Sequence, residues 1–191
     1  NAGKSTLINA LVGSKVAIVS PKVQTTRTLV RGIAMEGPAQ LVFMDTPGIF
    51  APKRRLDRAM VTTAWGGAHD ADMVAVLLDA KKGLDDEAET IFEKLAEVRQ
   101  PKILILNKVD LVEKAKLLGL ARDANGRGKF EATFMVSALS GDGVGDVRKW
   151  LAAHVPDGPW HYPADEVSDA PLRQLASEIT REKLYLKLHQ E

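Results

Sequence analysis

Three short apolar runs, each followed by a segment with helical spacing, constrain this chain more than any other feature. The runs are "DMVAVLLD" (72–79), "KILILNK" (102–108) and "ATFMVSA" (132–138). A strand exposed on one face alternates apolar and polar residues, whereas a strand covered on both faces is apolar throughout. The segments that follow, Asp85–Val98, Glu113–Ala124 and Val144–Val155, read as helices. Strand and helix in alternation predict an α/β fold, a mostly parallel sheet with helices on both faces.

The rest of the chain is placed around that repeat. Gly3 to Leu11 carries Leu7, Ile8 and Leu11 at helical spacing, and "LVRGIAME" (29–36) and "QLVFMD" (40–45), joined by Gly37-Pro38, read as a hairpin. Thr46–Leu56 has loop composition, and a helix is expected from Asp57 to about Ala68. "VPDGPWHYPADEVSDAP", with four prolines and four acidic residues, reads as a linker. Beyond it Leu172, Leu175, Ala176, Ile179, Leu184 and Leu186 mark one side of a further helix. This divides the chain into a domain at 1–155, a linker at 156–171 and the start of another domain at 172–191.

Composition excludes several kinds of chemistry. The 191 residues contain no cysteine, which removes disulfides, thiolate metal sites and cysteine nucleophiles. His69, His154, His161 and His189 lie far apart and show no metal-ligand spacing. A net charge of +1, from 26 basic and 25 acidic residues, supplies no global attraction to nucleic acid or anionic lipid. No apolar run approaches the ~20 residues that span a bilayer.

Four motifs then fall in order. "NAGKST" at residues 1–6 is the back half of a P-loop, which in full is a glycine, four residues and Gly-Lys-Ser/Thr. Small residues let backbone N–H groups wrap phosphates, Lys4 reaches the β and γ oxygens, and the Ser5 hydroxyl binds Mg²⁺. The motif predicts a strand and a leading glycine upstream of Asn1. "DTPG", Asp45 to Gly48, lies at a strand's C-terminal end, where α/β sheets bind ligands. There Asp45 supports Mg²⁺ through water and the Gly48 N–H approaches a terminal phosphate; taken alone, the tetrapeptide is an ordinary turn.

"NKVD", Asn107 to Asp110, ends the next strand but one. A carboxylate at Asp110 accepts from guanine N1–H and N2–H₂, which adenine does not offer, while the Asn107 amide and the Lys108 stem hold the ring. "SAL", Ser137 to Leu139, follows the last strand and presents backbone N–H to the base oxygen. Thr25 and Thr26, in "QTTR" between the first two motifs, complete the Mg²⁺ shell and sense the γ-phosphate. Single motifs of this length have bland readings as caps and turns; their order, each at a strand end, carries the inference.

On these residues the chain resembles the translation-factor class of P-loop GTPases, and within it the TrmE-Era-EngA-like group. "NAGKSTLINALVG", "QTTR", "DTPGIFAPKRRLDRAM" and "NKVDLV" are similar to that group's motifs. The tail "SDAPLRQLASEITREKLYLKLHQE" is similar to a segment that leads into a C-terminal KH domain, a reader of single-stranded RNA. The resemblance implies a GTP-hydrolysing switch in small ribosomal subunit assembly, with GTP/GDP, small-subunit ribosomal RNA and the 30S subunit as partners. It implies a cytoplasmic monomer with peripheral contact at the inner face of the membrane. The alternatives are a related GTPase in transfer-RNA modification or large-subunit assembly, or a P-loop ATPase or kinase.

Carried over by residue, the resemblance gives Asn1, Ala2, Gly3, Lys4, Ser5, Thr6 and Gly48 to the phosphates. Ser5, Thr26 and, through water, Asp45 go to Mg²⁺. Thr25 and Thr26 form switch I, and Asp45, Thr46, Pro47, Gly48 and Ile49 form switch II. Asn107, Lys108, Asp110, Ser137, Ala138 and Leu139 form the guanine pocket. Asn1 matches an asparagine that helps bind K⁺ in related GTPases. Ras-like enzymes place a water-orienting glutamine where this chain has Ile49, so slow intrinsic hydrolysis is expected.

Overall fold

The computed structural model describes residues 2–19, 30–45, 66 and 70–187. Strands β3 (Val74–Asp79), β4 (Lys102–Asn107) and β5 (Ala132–Val136) form a parallel sheet in that order. Their register sets Asp79 beside Asn107 and Asn107 beside Val136, so all three strands finish at one edge.

The "ILIL" run is the centre of the molecule. Ile103 to Leu106 are buried to 1% exposure or less, and successive side chains point to opposite faces. Ile103 and Ile105 join a core with Leu7 and Leu11 of α1 (Lys4–Val12) and Val144, Val147 and Leu151 of α4 (Val144–His154). Leu104 and Leu106 join a second core, with Ala88, Phe92 and Leu95 of α2 (Asp86–Leu95) and Leu117 and Ala124 of α3 (Lys114–Asn125). Continuous apolarity in the strand is thus explained by two covered faces.

Helix ends differ slightly from the sequence expectation. Asp85 caps α2 from outside, its Oδ1 accepting from the Ala88 N–H at 2.9 Å. The helix stops at Leu95 rather than Val98, and the chain turns there, with Val98 N–H donating to the Leu95 carbonyl at 3.2 Å, before Pro101 leads into β4. The Asp57–Ala68 helix lies outside the described residues except for Gly66.

The expected hairpin is present: β1 (Val30–Glu36) pairs antiparallel with β2 (Ala39–Asp45), from Val30 opposite Asp45 to Glu36 opposite Ala39. Among the described residues it is a separate two-stranded sheet. Between β2 and β3 runs a cleft of about 1060 Å³, lined in part by Leu41, Phe43, Met73, Ala75 and Leu77. The same cleft is also lined by Gly3, Lys4 and Ser5 at the start of α1 and by Asp79 and Lys108, an apolar cavity with a few polar groups, as ligand sites commonly are.

Residues 156–171 are laid against the hairpin by specific bonds. Ile33 N–H donates to the Val167 carbonyl at 2.9 Å, Arg31 pairs with Asp169 at 2.7 Å, and the Trp160 indole N–H donates to the Pro38 carbonyl at 3.0 Å. The Arg31–Asp169 hydrogen bond outweighs desolvation and raises the guanidinium pKa. Helix α5 (Leu172–Lys187) follows. Its Glu182 is buried, ion-paired with Lys15, and accepts from the Val19 N–H at 2.9 Å. Burial pushes the Glu182 carboxyl up, but Lys15 and that N–H hold it below the ordinary range.

Candidate functional site at the strand ends

Helix α1 begins at Gly3, whose φ of +90° lies in the left-handed region. A Cβ there would also stand 2.5 Å from Asn107 Nδ2, so glycine is required twice over. The first turn of α1 contains no acidic residue, and its leading N–H groups have no helical acceptor, which favours an anion.

Beside that turn, Asp45 closes β2 and is 1% exposed. It is ion-paired with Lys4 and accepts from the Ser5 hydroxyl at 3.2 Å. A hydroxyl and a carboxylate side by side are hard oxygen donors of the kind Mg²⁺ takes, and that ion keeps most of its waters, so few protein ligands suffice. No cluster of three His, Cys, Asp or Glu occurs among the described residues. The site therefore fits Mg²⁺ held jointly with phosphate better than a fully protein-built metal cage.

At the base end the sequence-predicted residues converge on one side chain. Asn107, 2% exposed, donates from Nδ2 to the Ala2 carbonyl at 2.8 Å. Its Oδ1 accepts from the Ala138 N–H at 2.9 Å. One amide thus ties the P-loop backbone, the end of β4 and the loop after β5. The sequence reading gave Asn107 to the ring; in the structure both ends of its amide brace the frame. The Ala138 N–H is engaged likewise, and the next residue, Leu139, is 86% exposed.

Ser137 is buried and closes its own turn, its Oγ accepting from Ser140 N–H at 3.3 Å and its carbonyl from Gly141 N–H at 2.8 Å. Lys108 has a φ of +65°, the sole positive value at a non-glycine among the described residues. That turn leads into a 3₁₀ segment, Val109–Leu111, which carries the exposed Asp110. Asp79, which no motif contains, accepts from Lys108 Nζ at 2.6 Å. Burial pushes the Asp79 carboxyl up, but Lys108 and the N–H groups of Lys81 and Lys82 hold it below the usual range. Asn1, Thr25, Thr26, Thr46, Pro47, Gly48 and Ile49 lie outside the described residues.

A P-loop half-motif at a helix start, a carboxylate behind its Lys and Ser, and an NKxD loop braced to it, all at the C-terminal edge of a parallel sheet, define the G domain of a P-loop GTPase. The family model described as 50S ribosome-binding GTPase matches residues 1–108, and the chain belongs to that family. Among curated relatives it is 70% identical over its whole length to GTPase Era of Afipia carboxidovorans, covering 62% of that protein. It is 64% identical, again over its whole length, to GTPase Era of Brucella melitensis, covering 61%. The chain thus spans about three-fifths of the length of these relatives.

Solved structures agree. Era in complex with MgGDPNP and nucleotides 1506–1542 of 16S ribosomal RNA superposes with a TM-score of 0.90 at 37% identity, over 96% of this chain and 63% of that one. A variant of Aquifex aeolicus Era bound to GDP·AlF₄⁻ gives 0.89 at 36% identity, with the same coverage.

Proposed function

We propose that this chain is the nucleotide-binding part of a GTP-hydrolysing switch that acts in small ribosomal subunit assembly by binding ribosomal RNA. The observation that carries the reading is the Asn107 brace, which joins the phosphate end of the site to the base end through Ala2 and Ala138. The choice of ribosomal RNA over related roles rests on relatives named GTPase Era and on the Era that binds 16S RNA.

In this reading the N–H groups that open α1, with Thr6 on the α-phosphate side, cradle the phosphates, and Lys4 meets the β and γ oxygens. Ser5, with Asp45 through water and Thr26, would hold Mg²⁺. When bound, that ion would supply positive charge to offset the negative charge of the phosphates. Asp110 accepts from the guanine edge, Lys108 lies along the ring, and Leu139 offers its N–H to the base oxygen. Slow intrinsic hydrolysis is expected, because Ile49 has no group to orient water, and K⁺ at Asn1 would assist. In this reading residues 172–191, which include α5, belong to the RNA-binding KH domain.

Nucleotide titration tests the proposal. The protein should bind GDP on the order of a thousandfold more tightly than ADP, since a site built on buried polar pairing rejects the wrong partner strongly. Asp110→Asn should move the preference toward xanthosine nucleotides. Equal affinity for GDP and ADP would overturn the reading.

A further inference from the structure

Asp79 lies at the end of β3, outside every motif, yet it is buried and faces the base-end loop. Its Oδ2 takes Lys108 Nζ at 2.6 Å, and its Oδ1 takes the Lys81 N–H at 3.0 Å. The aspartate is itself fixed. It stands in register with Asn107, and its carbonyl accepts from the Lys82 and Gly83 N–H groups, both at 3.0 Å.

A lysine side chain has four rotatable bonds and is among the most costly to order. Lys108 is held at both ends: its backbone by the left-handed turn, its ammonium by Asp79. Between them the stem passes over the P-loop, with Cε 3.9 Å from where a Cβ on Gly3 would lie. A methylene chain pinned in this way presents a fixed apolar wall beside the site.

We propose that Asp79 is a positioning residue for base recognition: by holding the Lys108 ammonium at the end of β3, it sets the Lys108 stem as one wall of the guanine pocket. This rests on the guanine-nucleotide reading above. Asp79 acts through Lys108 and does not itself touch the nucleotide. Its residue type is therefore dictated by the ion pair, although no spacing rule marks it.

A double-mutant cycle on the full chain tests this, with GDP affinity and dissociation rate as readouts. Asp79→Asn should weaken GDP binding by about tenfold through faster dissociation, the scale of one charge-assisted hydrogen bond. In a Lys108→Met background, which keeps the stem and removes the ammonium, Asp79→Asn should change GDP affinity by less than about twofold, within the additivity error of such cycles. Asp79→Glu, which keeps the charge, should recover part of the loss and guards against a variant that merely folds poorly. Two results overturn the proposal: Asp79→Asn binding GDP like the parent, or its full loss persisting in the Lys108→Met background, as a purely structural role in the turn would give. A parent that fails to discriminate GDP from ADP instead removes the guanine reading beneath it, a result distinct from either.

Discussion

Asn107 and Glu182 are both buried polar side chains that join parts of the chain far apart in sequence, but they do so with different chemistry. Asn107 is neutral and uses both ends of its amide on backbone groups, Ala2 and Ala138. Glu182 is ionised and meets one N–H and the ammonium of Lys15, which is half-exposed. The neighbouring tie, Arg31 with Asp169, is also ionic and partly exposed. A neutral bond to buried backbone does not respond to salt or to ordinary pH, whereas a partly exposed ion pair is screened and titratable. The Asn107 brace is therefore indifferent to salt and ordinary pH, whereas the ties of Glu182 to Lys15 and of Arg31 to Asp169 are screened and titratable.

The sharpest way to break that contrast is to remove the amide. Asn107→Ala leaves the Ala2 carbonyl and the Ala138 N–H buried without this partner, and should cost on the order of 4 kcal/mol in urea unfolding. The loss should be unchanged between low and high salt. A salt-sensitive loss would mean that the brace works through charge.

Glu182→Gln keeps the shape and an acceptor for Val19 but removes the charge, and should cost about 1–2 kcal/mol at neutral pH, reduced because Lys15 is half in water. Since the folded state lowers the Glu182 pKa, its contribution is complete above the unfolded carboxylate value, about 4.3. It fades as pH falls through the lower folded value. Parent and variant should thus converge in stability in acid, and a gap that widens there would contradict the assignment.

The smallest effect is expected at Trp160, which is about half exposed and gives one hydrogen bond to Pro38. Trp160→Ala should cost about half a kcal/mol, with GDP affinity unaltered. A comparable loss to that of Asn107→Ala would show the 156–171 contact to be as integral as the strand ends.

Much of this was readable before any coordinates. "KILILN" could be read as a strand covered on both faces because apolarity is local, and both cores confirm it. Gly3, Asn107 and Ala138 stood out through motif order, and the structure brings them into one network. Asp79 did not stand out, since it closes the run "DMVAVLLD" outside any motif and its partner is 29 residues away. Glu182 was hidden for a similar reason. It is one acid in a helix rich in charge, and its partner, Lys15, lies 167 residues away. The docking of 156–171 depends on long-range bonds that a Pro-rich composition does not announce.

Because one amide fastens the P-loop backbone and the loop after β5 to the end of β4, the backbone proton of Ala138 becomes a reporter on all three. Its protection against exchange with solvent depends on the Asn107 oxygen staying in place, and that amide is also held at Ala2. Opening of the chain around Ala2 and opening of the loop after β5 should then share a single exchange rate, so one amide signal would time the loosening of the whole strand-end face.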